Sequence, residues 1–357
     1  MSSPEQQEQH QTRPALVERS PRVPPEQLVA ELVPPPRFAD VRFSTYVPAP
    51  DQPSQAEAVQ RMSAFGERVA GGGGSGGGGL AGLFRRKRTD ERAPGTYLDG
   101  GFGVGKTHLL ASLYHQVVTD GGRSAAYGTF VEYTNLVGAL GFLPAVEALA
   151  HHDLVCIDEF ELDDPGDTVL MSRLMRELVD RDVKLAATSN TLPGSLGEGR
   201  FAAQDFQREI QALAGRFDVV RVDGEDYRHR GSASAPRPLD DADVERVAAG
   251  REGATLDDFD ALLAHLADVH PSRYGAMVAG TGTVCLRGVR TVSDQVVGLR
   301  LVVLADRLYD REVPVAASGV PFDEVFTDEL LHGGYRKKYL RAVSRLSALA
   351  REGAALA

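Results

Sequence analysis

Asparagine is almost missing from this chain: only Asn135 and Asn190 occur in 357 residues. They precede Leu136 and Thr191, so a guanine-reading N-K-x-D motif is absent throughout. Long apolar runs are also missing, and no stretch of about 18 apolar residues exists to span a membrane. The first residues lack the charged and apolar segments of a signal peptide, so no secretory leader is expected. Cysteine is limited to Cys156 and Cys285, each in an apolar strand-like run, which suggests reduced, buried thiols in a cytoplasmic protein. The pair His151-His152 has no ligand cluster around it, which argues against a histidine metal site. Basic charge is in deficit, with 39 Lys and Arg against 50 Asp and Glu. The formal net charge of −11 speaks against bulk nucleic-acid binding, while a local groove stays open.

What is present is concentrated in a few segments. Gly100-Gly101-Phe102-Gly103-Val104-Gly105-Lys106-Thr107 fits G-x-x-x-x-G-K-[ST] without a mismatch. The glycines let successive backbone N–H groups turn toward phosphate oxygens. Lys106 supplies a cation for the β- and γ-phosphates, and the Thr107 hydroxyl can ligate Mg²⁺. Gly95 to Asp99 reads as a strand before the loop, and His108 to His115 as a helix after it. Strand, glycine-rich turn and helix N-terminus together make an anion site. The nucleotide contacts are therefore expected from Gly100 through His108.

Leu154-Val155-Cys156-Ile157 reads as a buried parallel strand ending in Asp158 and Glu159. Such a strand end is the Walker B arrangement, with Asp158 holding Mg²⁺ and Glu159 orienting or deprotonating the attacking water. A further strand, Val183 to Asn190, ends in small polar residues. There Asn190 is placed to hold water or meet the γ-phosphate, a sensor position, while helix capping is the alternative for Thr188 and Asn190. With no guanine-reading motif, ATP is favoured over GTP. Arg42 to Tyr46 and Pro53 to Val59 are candidates for walling the adenine, or else an ordinary strand and capped helix.

On these segments the chain resembles the ZapE family of cell-division ATPases, related to mitochondrial Lace-type AAA+ proteins. The resemblance runs through Gly95 to Leu110, Leu154 to Phe160 with Asp163 and Asp167, Val183 to Pro193, Val222 to Arg230, and Arg336 to Leu346. It implies ATP hydrolysis and, for bacterial members, action on the division ring. His108 departs from the family's bulky aromatic, and Tyr127 to Tyr133 replaces its His- and Phe-rich segment. ATPases of this class use an arginine from a neighbouring subunit. Arg200 is the favoured candidate, Arg216 the competitor, with Arg228 and Arg230 placed to act in cis.

The expected organisation is a disordered Pro-rich tail over 1–38 and a P-loop core over 39–230 with a flexible glycine linker at 71–79 inserted. A linker over 231–252 and a C-terminal α/β region over 253–357 follow. The basic run Arg85 to Arg88 is either a contact for an acidic partner or a solvated linker end. Leu178 to Ser189 is echoed by Leu308 to Gly319, each a helix end, a charged turn and a strand. This gives the C-terminal region a second strand–helix–strand unit with parallel strands, through a helix-turn-strand shape that can equally arise by convergence. The fold class is thus α/β, an AAA+-like P-loop parallel sheet with a C-terminal α/β extension. The expected function is Mg²⁺-dependent ATP hydrolysis by an ATP-promoted homo-oligomer that remodels a protein partner, suspected to be a division-ring component. The alternatives are a helicase-loader or replication-initiator type ATPase, and an ATP-binding scaffold with negligible turnover.

Overall fold

Every residue of Leu154–Asp158 is buried, and alternate side chains enter different cores. Leu154 and Cys156 face one layer of helices while Val155 and Ile157 face another, as the two-residue period of a strand covered on both sides requires. In a computed structural model this strand belongs to the first of two compact units, Pro24–Ser232. The second unit combines Met1–Val23 with Ala233–Ala357. The structure describes residues 15–71, 94–101, 103–160, 165–190, 215–224 and 235–357.

The first unit begins with α1 (Pro25–Ala30) and α2 (Pro53–Gly71), followed by β1 (Gly95–Gly100) and α3 (Lys106–His115). Next come β2 (Ala125–Thr129), α4 (Phe130–Leu140), α5 (Phe142–Leu149) and β3 (Leu154–Asp158). The unit closes with α6 (Pro165–Val179), β4 (Lys184–Ser189) and β5 (Phe217–Val222). The five strands are parallel in the order β2-β3-β4-β1-β5. Chain order reverses around β1, which puts a crevice at the carboxyl ends of β1, β4 and β3, where open α/β sheets bind ligands. Met62, Phe65, Leu109, Leu110 and Leu113 of α2 and α3 pack one face, and Phe130, Tyr133, Leu149, Met171 and Leu174 of α4, α5 and α6 pack the other. The α/β P-loop class read from the sequence is the class observed.

The second unit contains α7 (Asp241–Gly250), β6 (Ala254–Asp258), α8 (Phe259–Asp268), α9 (Tyr274–Val278), β7 (Thr283–Val289) and α10 (Gln295–Asp310). It ends with β8 (Val315–Gly319), α11 (Asp328–His332) and α12 (Arg336–Ala354). Its sheet is parallel, ordered β6-β7-β8. The sequence echo is visible in the backbone. Asp182 and Glu312 both take left-handed φ values, 64° and 53°. In each copy the next residue donates back to the helix, Val183 N to Leu178 O and Val313 N to Leu308 O, the Schellman pattern of a helix end.

Two segment boundaries differ from expectation. Residues 15–38 are not a disordered tail. Leu16 is fully buried in the second unit, with its N–H and that of Val17 donating to Asp257 at 3.0 Å each. Further on, Pro25 opens α1 at the first helical position, where proline is tolerated, and Leu32 is buried against the first unit's core. Nor is 231–252 all linker: α7 is capped by Asp240, which accepts from Asp243 N–H, and it buries Val244 and Val247. The glycine stretch beyond Gly71 and the run Arg85 to Arg88 lie outside the described residues.

Candidate functional site

The loop between β1 and α3 turns tightly because its glycines permit it. Gly105 has φ +89°, and a Cβ there would lie 2.5 Å from the Tyr46 ring. A Cβ on Gly100 would meet the Val222 carbonyl at 2.1 Å. Gly105 sits at the N-cap of α3 without any side-chain cap, so the first turn offers its N–H groups to an anion. Lys106 is only 8% exposed. Its ammonium donates to Gly100 O at 2.8 Å, Gly101 O at 2.5 Å and Asn190 Oδ1 at 2.9 Å.

The two acidic residues at the end of β3 differ in burial and backbone, Asp158 buried and Glu159 half-buried. Asp158 is 5% exposed, and its Oδ1 lies 3.4 Å from the Thr107 hydroxyl. The Thr188 hydroxyl donates to the same Oδ1, and the Tyr127 hydroxyl donates to Oδ2 at 2.9 Å. Glu159 follows in the left-handed region at φ 54°, its N–H shared between Asp158 Oδ1 and Thr188 Oγ1. That turn sends Phe160 into the core, edge-on to Tyr97 and Phe130, with its N–H on the Thr188 carbonyl at 2.7 Å. Thr188 is therefore a strand residue that holds the Asp158 carboxylate and the Glu159 N–H, and not a helix cap. Hydroxyl and carboxylate oxygens at this spacing are the hard donors that Mg²⁺ takes, so the residues fit such an ion. Among the described residues no group of three or more His, Cys, Asp or Glu forms a separate metal cluster.

The segment before the loop wraps its flank. Tyr46 donates to Val104 O at 2.7 Å, and burial pushes its phenol up to about 12. His108 stands edge-on to Tyr46, with Nε2 at 3.0 Å from Thr45 Oγ1 and 3.1 Å from Arg42 O. Burial lowers its pKa, which favours the neutral ring. Gln55 accepts from Ala49 N–H and donates to Asp223 O, both at 2.8 Å, tying this segment to the end of β5.

The structure thus brings Lys106, Thr107, Asp158, Glu159 and Asn190 together, with the glycines and Val104 shaping the loop and His108 bracing its flank. Arg216 lies in the turn before β5, at the other end of the sheet, 3.6 Å from Asp180. Phe102, Arg200, Arg228 and Arg230 lie outside the described residues. Three site residues carried no sequence signal of their role: Tyr127, Thr188 as a partner of Asp158, and Asp99. Asp99 is buried at the end of β1, and burial raises its pKa even with Arg221 at 3.5 Å and Lys106 nearby.

The family model of the AFG1-like ATPases matches residues 22–249 and 231–355. The Escherichia coli cell division protein ZapE is 31% identical over 193 residues, 49% of this chain and 51% of that protein. An uncharacterized protein of Schizosaccharomyces pombe is 30% identical over 148 residues, covering 38% of this chain and 33% of its own. Among solved structures, domain III of the Thermotoga maritima replication initiation protein DnaA aligns with a TM-score of 0.40 at 19% identity, covering 60% of this chain and 80% of that one. The chain spans about half the length of the ZapE relatives it matches. With both compact units under the family match, and the P-loop and acid strand converging on one sheet edge, the chain belongs to the AFG1-like ATPase family.

Proposed function

We propose that this chain hydrolyses Mg²⁺-ATP and couples the reaction to remodelling a protein partner during cell division. The observation that carries the chemistry is the convergence of Lys106, Thr107, Asp158, Glu159 and Asn190 at neighbouring strand ends. In this reading the α3 N-terminus and the loop N–H groups bind the phosphates, and Lys106 leaves its carbonyl partners to meet the β- and γ-oxygens. Thr107 and Asp158 hold the cation, which when bound neutralises charge on the phosphate oxygens. Glu159 orients a water and takes its proton as the γ-phosphoryl transfers to it, and Asn190 fixes that water or a γ-oxygen.

The division role rests on the name of the E. coli relative and on the resemblance already described. A protein partner, an ATP-promoted homo-oligomer and cytoplasmic action belong to the same proposal. Among the described residues no helix is long and apolar enough to cross a membrane. Phosphate release from wild type, Lys106→Ala and Glu159→Gln tests the chemistry. Lys106→Ala is expected to lose binding of a fluorescent ATP analogue, and Glu159→Gln to bind ATP yet turn it over far more slowly. Equal rates in all three would refute the site. A Glu159→Gln pull-down in ATP tests the partner, with capture of single-stranded DNA in place of protein as the contrary result. Mixing Arg200→Ala with Lys106→Ala tests assembly: restored turnover supports an arginine supplied in trans, and its absence refutes it.

A further inference from the structure

Asp158 is gripped from the strands on both sides of its own. Thr188 of β4 donates to Oδ1, while Tyr127 of β2 donates to Oδ2 at 2.9 Å from a position only 3% exposed. β2 is an edge strand of the described sheet, and its place is fixed from outside as well. The Tyr127 N–H, pointing away from the sheet, donates to Leu32 O at 2.8 Å, and the ring stands edge-on to Tyr114 at 6.2 Å. The hydroxyl thus reaches the carboxylate from a backbone and a ring that are both anchored.

We propose that Tyr127 is a positioning residue for the cation site. Its hydroxyl fixes the Asp158 rotamer that turns Oδ1 toward Thr107, and thereby sets the affinity for the divalent cation that accompanies ATP. The proposal rests on the reading of Asp158 as a cation ligand. Rotating the carboxylate away would break this hydrogen bond inside the core, where exchange for water does not offset its loss. The donor is neutral, so it orders the carboxylate without cancelling the charge that attracts the cation. Losing such an outer partner lowers metal affinity about 10- to 100-fold in well-studied metal sites. The rival account is that Tyr127 fills the core and its hydroxyl takes the nearest acceptor.

Tyr127→Phe separates the two accounts, since it keeps the ring, its packing and the bond to Leu32. The assay is binding of a fluorescent ATP analogue to the full chain, in EDTA and across a Mg²⁺ titration, with phosphate release followed at each Mg²⁺ concentration. The expected result is unchanged binding in EDTA, a Mg²⁺ half-point raised by about tenfold or more, and turnover restored toward wild type at saturating Mg²⁺. A wild-type half-point overturns the proposal. So does an equal loss of binding in EDTA, because the hydroxyl would then support the fold and not the carboxylate. Asp158→Asn in the same titration isolates the underlying reading: if it keeps the wild-type Mg²⁺ response, Asp158 is not a cation ligand and both ideas fall together.

Discussion

Removing the Asn190 amide should tighten ADP binding and slow ATP turnover together. Lys106 carries three N–H donors, and among its partners are Gly100 O, Gly101 O and Asn190 Oδ1, at 2.8, 2.5 and 2.9 Å. Its ammonium has to leave these partners to reach a phosphate. A hydrogen bond to a charged group contributes about 1.5–3 kcal/mol, and water entering the space left in Asn190→Ala recovers part of it. A net release near ~1 kcal/mol corresponds to roughly fivefold tighter binding. ADP is the right probe because it lacks the γ-phosphate, so any contact of Asn190 with that group is silent in the titration. ATP turnover reports the opposite effect, a fall of about 10²-fold where a preorganised polar contact to the reacting group is lost. Asn190→Asp adds a sign test: a carboxylate holds Lys106 more firmly, so ADP affinity should drop. Unchanged or weaker ADP binding in Asn190→Ala would refute the idea that this bond opposes loading of the site. Unchanged turnover would remove Asn190 from the reaction.

Three further outcomes are expected. Asp306 of α10 lies between Arg341 and Arg345 of α12; burial alone would raise its pKa, but the two guanidinium groups outweigh it and hold the carboxyl below the usual range. Its contribution is therefore present at neutral pH and lost as pH falls below the unfolded value of about 4, so Asp306→Asn should cost about 1.5–3 kcal/mol at pH 7 by thermal unfolding, the loss of hydrogen bonds to charged groups at a partly buried site, with a gap to wild type that closes in acid; a pH-independent gap would refute this. Asp257→Ala removes the acceptor of the Leu16 and Val17 N–H groups, and hydrogen exchange at those two amides should speed up by about tenfold or more, whereas unchanged protection would mean that burial of Leu16 alone holds the turn. At the left-handed Glu159, the glycine variant should be more stable than the alanine variant by about 0.5–1 kcal/mol, relief of the backbone outweighing glycine's entropy, and both should lack turnover; an alanine variant as stable as the glycine one would show that no strain resides there.

The phosphate loop and the paired acids were legible because each is one contiguous segment whose chemistry is local. Eight residues specify a turn, a cation and a hydroxyl without reference to anything distant. The strand partners of those acids were not legible, since contacts across a sheet depend on register. Tyr127 reaches Asp158 only because β2 pairs with β3 so that Tyr127 stands opposite Cys156, and no periodicity in a single chain encodes that pairing. The ordered stretch over 15–38 was hidden for a related reason. Its prolines read as an unstructured tail, yet Pro25 starts a helix and Leu16 finds its partner at Asp257, 241 residues away. Short segments that fold only against distant surfaces show no pattern of their own.

The D-E-F tripeptide shows how far a local motif reaches into the fold. Asp158 must turn toward Thr107, while Phe160 must enter the core on the α4 and α6 side beside Tyr97 and Phe130. A continuing strand cannot meet both demands together with the sharing of Thr188. Thr188 gives its hydroxyl proton to Asp158, accepts the Glu159 N–H, and takes the Phe160 N–H on its carbonyl. The chain resolves the conflict at the middle residue, which adopts φ 54°. Glycine would carry that conformation at less backbone cost, by about 1–2 kcal/mol before its entropy is counted. A glutamate there, half-buried and one residue before Phe160, carries a backbone cost that the proposed role of its carboxylate would account for.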